Sequence, residues 1–277
     1  MNLFDESCLE CSKVITQKYS TSFSLGIKAF QPELRSPIYA IYGFVRYADE
    51  IVDTFHDFNK LELISRFRKD AFQAIEEKIS LNPILHSFQW AVNNYEIELD
   101  LIDSFLKSME MDLEIGRHER CSFNEYVYGS AEVVGLMCLR VFTQGNSQLY
   151  EELKPTAKRL GSAFQKINFL RDLKDDFEDK GRVYFPGMDF TCFNDEMKLS
   201  IEKEIQLDFE EAFKGIRKLP NSCRLGVYVA YRYYLQLFER IKLLPASTIA
   251  HTRIRVPDGE KAYLFAKAIL RNRFNAI

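Results

Sequence analysis

The sequence predicts an all-α fold, on three observations. Helical periodicity dominates the chain, no alternating apolar–polar run is long enough for a convincing strand, and breakers are sparse, with 12 Gly and 8 Pro in 277 residues. A first helix is expected to start at Ser36-Pro37, with Ser as cap and Pro at the first helical position. It runs through IYAIYGFVRYADEIVD to about Thr54. Further helices are expected over roughly 59–79, 83–95, 98–116, 122–144, 147–178, 195–217, 219–243 and 257–274. Asn82-Pro83, Gly145-Asn146 and the stretch from Gly181 to Asn194 mark the loops. Linker-like, low-complexity and repeated segments are absent. The expected architecture is therefore a single all-α domain over 1–277, larger than a four-helix bundle, with helices around a shared interior.

Composition narrows the function. A net charge of −3 and a pI near 5.9 give no reason to expect nucleic acid. No apolar run reaches the roughly 18–20 residues that a membrane-spanning helix needs. The N-terminal MNLFDESCLECSK is polar and acidic, unlike a signal or transit peptide. Cys8 and Cys11 form the one CxxC, and the four His are scattered, so a zinc site is not expected. Scattered Cys without a signal peptide point to a reducing compartment, hence the cytoplasm. The 23 Phe and 14 Tyr suit either a Phe-rich core or the lining of a deep apolar cavity.

Two acidic stripes stand out. Tyr42, Arg46, Asp49 and Asp53 recur at i, i+4, i+7 and i+11, on one face of a helix whose other positions are mostly apolar. Gln165, Asn168, Asp172 and Asp176 recur at i, i+3, i+7 and i+11, again among apolar neighbours, with Arg171 beside them. Carboxylates on a largely buried helix are costly unless paired or bound to metal. Mg²⁺ takes oxygen ligands and is typically held by one or two carboxylates plus substrate phosphate and water. Two such helices facing each other could hold Mg²⁺ around a diphosphate and assist its departure. Either stripe alone suits a solvated acidic face; two together strengthen the metal reading, and the solvated-face reading stays open beside it.

Five runs carry a resemblance: YSTSFSLG (19–26), RYADEIVD (46–53), YVYGSAEVVG (126–135), FQKINFLRDLKDDFEDKGRVYFP (164–186) and TRIRV (252–256). In that order, and across nearly the whole chain, they resemble the squalene and phytoene synthase family, with wording nearest to the bacterial phytoene synthases. The resemblance implies an isoprenoid synthase fold, with a central apolar cavity and two facing aspartate-rich helices. It also implies a head-to-head condensation of two prenyl diphosphates through a cyclopropyl diphosphate.

Carried over by position, Asp49, Asp53, Asn168, Asp172 and Asp176 match metal ligands for Mg²⁺, with Mn²⁺ able to substitute. Gln165 matches a polar neighbour of these. Arg46, Arg171 and Arg253 match cations near the diphosphates, Tyr42 and Ser20 match groups that contact phosphate, and Tyr126 matches a tyrosine that helps proton transfer or steadies a cation. Ala131, Val134 and Gly135 match small residues on a bent cavity helix, and Tyr184 and Tyr234 match aromatic positions near substrate. Tyr19 replaces the His of some members, and Ser130 and Glu132 make their run more polar than the family pattern. Glu132 is expected to point away from the cavity. Plainer roles stay open beside these: Ser20 as a helix cap, Gly135 as a packing glycine, Arg253 as a surface charge, Tyr126 as a core residue.

The resulting expectation is condensation of two geranylgeranyl diphosphates to phytoene without NADPH, as part of carotenoid biosynthesis. The enzyme would be cytoplasmic and touch the membrane surface transiently. The same chemistry on farnesyl diphosphate, giving squalene or dehydrosqualene, is the near alternative. A silent lipid-binding relative and a helical interaction domain without a small ligand are the distant ones.

Overall fold

A computed structural model describes residues 2–114, 118–178, 181–188 and 193–273. Residues 115–116 and 274 of the expected helices, Asp179 and Lys180 of the second acidic run, and Cys192 lie outside the described residues. The described chain is helical with no strand. Its helices are α1 (Leu3–Tyr19), α2 (Thr21–Lys28), α3 (Pro32–Asp53), α4 (Lys60–Glu77), α5 (Pro83–Tyr95), α6 (Leu99–Glu114) and α7 (Arg120–Val127). After a π-helical segment (Tyr128–Glu132) come α8 (Val133–Thr143), α9 (Ser147–Arg171), α10 (Leu173–Glu178), α11 (Asp195–Ile216), α12 (Asn221–Lys242), α13 (Ala246–Ile249) and α14 (Asp258–Arg273). None is long and apolar enough to cross a membrane.

α3 lies at the centre, packed on α1, α5, α8, α4 and α6. Its Phe44 is fully buried and stacks on Phe88 at 3.8 Å, with Phe67 and Phe105 around it. On the far side, α9 packs against α11 and α8, and α12 against α2 and α14.

Four local expectations are corrected. α3 starts at Pro32 rather than at Ser36-Pro37, because Pro32 itself takes a first-turn position and Pro37 lies inside the helix. Pro37 forfeits one ladder bond, a loss offset by burial of Leu34, Ile38 and Ile41 on the same stretch. The helix expected over 122–144 is split by the π segment. There the Val133 amide bonds five residues back, to Tyr128, and Ser130 Oγ donates to the Tyr126 carbonyl at 2.7 Å. Gly129 permits this, since a Cβ on it would lie 2.5 Å from the Ser104 carbonyl oxygen of α6.

The helix expected over 147–178 bends at Asp172 (φ −104°, ψ 12°). The amides of Asp172 and Asp176 still bond to the carbonyls of Asn168 and Asp172, both at 2.9 Å, so the stripe continues through the bend. Finally, α1 and α2 form where no helix was expected. α1 opens on a capping box of Asn2 and Asp5 and buries Cys8, Leu9, Ser12 and Thr16. Such a small, partly polar face gives little hydrophobic periodicity, and it fits because Ser12 Oγ meets Ser87 Oγ at 2.6 Å.

Candidate active site

The first stripe occupies the C-terminal half of α3. Arg46 pairs with Glu50, one turn on, lies 3.9 Å from Asp49, and sits 4.3 Å over the Tyr19 ring. Burial opposes its charge, but Glu50 and Asp49 outweigh it and hold the guanidinium above its ordinary value. Tyr42 lies beside the Ser20 hydroxyl, and burial pushes its phenol up to about 12. Ser20 is the cap of α2, accepting from the Phe23 amide at 3.2 Å, so the plain role is correct and coexists with the contact to Tyr42.

The second stripe gathers at the bend between α9 and α10. The guanidinium of Arg171 forks onto the neighbouring Asp172 carboxylate. Arg253 reaches the same carboxylate at 2.9 Å and Asp175 at 3.5 Å, so it is no idle surface charge. Asn168 accepts from the Tyr234 hydroxyl at 3.2 Å and lies 3.5 Å from Gln165. Tyr234 stacks on Phe164 at 3.8 Å. Phe23 of α2 touches both Tyr42 (5.7 Å) and Tyr234 (6.5 Å) and so bridges the two stripes.

Arg182, from the GRVYFP run, joins the stripes a second time. Its guanidinium bonds to Asp53 at 2.9 Å, and its amide bonds to the Asp176 carbonyl at 2.8 Å. The same guanidinium is 3.4 Å from the Tyr184 hydroxyl and 3.5 Å from Asp112. Asp112 is buried and accepts from Tyr126 at 2.7 Å and from Tyr184 at 2.9 Å. Burial raises the Asp112 carboxyl; Arg182 and the phenols pull it down, and burial prevails. Burial, reinforced by the Asp112 charge, lifts both phenols well above their ordinary value.

Contacts thus link Ser20 and Tyr42 through Phe23 to Tyr234 and Asn168, link Asp53 through Arg182 and Asp112 to Tyr126 and Tyr184, and gather Arg171 and Arg253 on Asp172. The small residues behave differently. A Cβ on Gly135 would lie 3.3 Å from the Ala157 carbonyl, and one on Gly161 would lie 2.7 Å from that of Ala131. Gly135 and Ala131 therefore serve the close approach of α8 and the π segment to α9, and Val134 is partly buried against the core. Glu132 pairs with Lys158 of α9 at 3.3 Å.

Asp112, Arg182, Phe23 and His118 are additions to the site. A signal for Asp112 was available: Phe105, Met109 and Asp112 share a face at i, i+4 and i+7, so a carboxylate stands where the apolar stripe of α6 should continue.

His118 is buried against Tyr126 (5.1 Å) and stacked on Tyr184 (5.6 Å), and among the described residues neither ring nitrogen has a hydrogen-bond partner. Burial lowers its basicity; the Ser122 backbone works against this, and Arg182 works with it. The unfolded chain then holds more protons below about pH 6.5, so this contribution to stability is full above that pH and declines as pH falls through the folded value. Thermal melts should show stability falling below about pH 6.5, by at most about 1.4 kcal/mol per pH unit from this group. His118→Phe, which keeps a ring against Tyr184, should flatten the dependence; identical slopes in both proteins would clear His118 of any role in it.

Among the described residues no three His, Cys, Asp or Glu side chains converge as a ready metal cage. The oxygen donors come instead as pairs one turn apart on two elements. That suits a hard cation which keeps its waters and completes its shell with phosphate, and does not suit zinc.

A family model described as squalene/phytoene synthase matches residues 16–260. Phytoene synthase 1 of Solanum lycopersicum is 27% identical over 266 residues, covering 87% of this chain and 63% of its own. The 4,4'-diapophytoene synthase of Staphylococcus haemolyticus is 28% identical over 216 residues, covering 75% of this chain and 70% of its own. The chain spans less than two thirds of the plant relative's length. A crystal structure of a dehydrosqualene synthase in complex with ligand superposes with a TM-score of 0.83 at 22% identity, over 97% of this chain and 98% of that one. The chain shares its all-α isoprenoid synthase fold.

Proposed function

The chain belongs to the squalene/phytoene synthase family, and from that membership we propose that it joins two prenyl diphosphates head to head. The preferred substrate is geranylgeranyl diphosphate and the product phytoene, formed without NADPH. The observation that carries the reading is the Arg182 guanidinium on Asp53 of the first stripe, with its backbone tied to the end of the second, and Arg46, Arg171 and Arg253 held against carboxylates of the two stripes. Support for the C20 substrate comes from the plant phytoene synthases, which match 87% of this chain. The staphylococcal diapophytoene synthase favours the C15 alternative and makes chain length the point to test.

Asp49, Asp53, Asn168, Asp172 and Asp176 would hold Mg²⁺. Bound there with diphosphate, the metal would neutralise the leaving group and ease ionisation at the allylic carbon. Arg171 and Arg253 would exchange Asp172 for phosphate oxygens, and Arg46 would do the same with its acidic neighbours. Tyr42 and Ser20 would orient the diphosphate. Tyr234, which donates to Asn168, is stacked on Phe164 and meets Phe23 edge to face, and this aromatic group would steady a developing cation nearby.

Ring closure to the cyclopropane needs a proton lost from carbon while the C–H electron pair forms the new C–C bond. Tyr126 can accept that proton on its phenol oxygen as its own proton passes to Asp112, whose raised basicity equips it to hold one.

The test is a product assay with Mg²⁺ and either geranylgeranyl or farnesyl diphosphate, with and without NADPH, read by mass. A C40 hydrocarbon without NADPH is the expected product, abolished by EDTA and restored by Mg²⁺. A C30 product would move the chain to the alternative, with NADPH dependence separating squalene from dehydrosqualene. No hydrocarbon from either substrate would favour a silent lipid-binding relative.

A further inference from the structure

His118 precedes α7 and is held beside the GRVYFP run by its backbone amide, which donates to the Val183 carbonyl at 3.3 Å. Its ring is 5% exposed. It lies 18° from parallel over Tyr184 and is tilted against Tyr126. Phe169 stacks on the same Tyr184 at 4.1 Å. A phenylalanine at 118 would pack in this place without stranding a polar atom. The imidazole strands two, since neither ring nitrogen is bonded among the described residues. A buried polar group without a partner is costly and rare. This one stands against both of the phenols that donate to Asp112.

The Asp112 cluster has a proton to dispose of. In the reaction proposed above, on which the outlet rests, Tyr126 loads one proton onto Asp112 in each turnover. The carboxyl must lose it before the next. The titratable and charged groups around Asp112 and His118 are Tyr126 of α7, Tyr184 and Arg182, with Asp53 of α3 behind Arg182. Arg182 is always protonated and cannot accept. Burial disfavours the charged form of both phenols, so each passes a proton on only as it receives another. Among the described residues His118 is the neutral nitrogen base against the cluster. Burial lowers its basicity and raises that of Asp112, which brings the two toward a common value and eases transfer between them.

We propose that His118 is the proton outlet of the site, emptying Asp112 through Tyr184 after each condensation. The acid proton of Asp112 passes to the Tyr184 oxygen as the Tyr184 hydroxyl proton passes to a ring nitrogen of His118. A carboxylic acid and an imidazole become a carboxylate and an imidazolium, and the phenol is unchanged. Tyr126 loads Oδ2 and Tyr184 unloads from Oδ1, so the carboxyl turns about its Cβ–Cγ bond between the two. The imidazole turns out of its stack to meet the Tyr184 hydroxyl, which its unbonded nitrogens leave it free to do. Exposed Glu119 follows it in the chain, so solvent is close by to take the proton. His118 touches no substrate and acts only through Asp112.

The test separates the first turnover from later ones. Rapid-quench assays use Mg²⁺ and excess geranylgeranyl or farnesyl diphosphate, whichever the product assay shows to be used. They count cyclopropyl diphosphate and hydrocarbon together, in the wild type and in His118→Phe, with thermal melts to verify folding. The first turnover of His118→Phe should run within about twofold of the wild type, because Asp112 starts empty, and its steady-state rate should fall about tenfold or more. In His118→Ala, imidazole should restore the steady-state rate from the space left behind. Pyrrole, the same shape without a basic nitrogen, should not. First and later turnovers slowed in step, or neither slowed, overturns the proposal. So does equal rescue by both rings, or by neither; this pair decides alone if the Phe protein does not fold. A wild type that yields neither product overturns the reaction itself, whereas one that turns over beside an unaffected His118→Phe overturns the outlet alone.

Discussion

Asp53→Asn and Asp172→Asn should each lower kcat by about three orders of magnitude or more while leaving the melting temperature within a few degrees. The size follows from what each carboxylate is asked to supply. Losing about 4 kcal/mol of charge stabilisation where a diphosphate departs costs about a thousandfold in rate. Asn keeps the shape and one oxygen but removes the charge that a hard cation needs. Stability should change little because both side chains are partly solvated, at 30% and 18% exposure, and their arginine partners retain other contacts. Asp57→Asn, on the exposed loop after α3, is the control and should be silent. Steady-state kinetics with saturating Mg²⁺ decides the matter. If both variants stay within about tenfold of the wild type, the two stripes are not a metal site.

These stripes were legible in the sequence because a helix repeats every 3.6 residues. Asp49 and Asp53, or Asp172 and Asp176, share a face whatever the rest of the fold does. The bend at Asp172 did not disturb that reading, because the ladder bonds on either side of it survive. Arg182 was visible inside a quoted run, but its role was not: bonding to Asp53, 129 residues away in sequence, is a tertiary event with no local signature. Periodicity also failed where the buried face is small and polar. α1 hides Ser12 and Thr16 rather than a Leu stripe, so the pattern that revealed α3 is missing. The π segment was hidden for a different reason. One extra residue in a turn leaves the composition untouched, and only the bond from the Val133 amide back to the Tyr128 carbonyl shows it.

Asp112 is the residue on which the largest stability effect is expected. Asp112→Ala removes the acceptor of two buried phenols and one of the carboxylates facing Arg182, and should cost about 3–5 kcal/mol in urea unfolding. Tyr126→Phe alone loses one hydrogen bond to a charged acceptor, about 1.5–3 kcal/mol. Together they should fall short of the sum, because in the Ala background the Tyr126 hydroxyl has already lost its partner. Additive losses would mean that the 2.7 Å contact contributes nothing to stability. Asp112→Asn separates architecture from chemistry. The amide oxygen can still accept from one phenol, so much of the stability should remain, but an amide cannot take up the proton that Tyr126 passes on. If Asp112 receives that proton, turnover in Asp112→Asn falls far more than stability does, and Tyr126→Phe falls with it. If Asp112 only positions Tyr126, the Asn variant keeps most of its rate and Asp112→Ala loses rate in step with its stability.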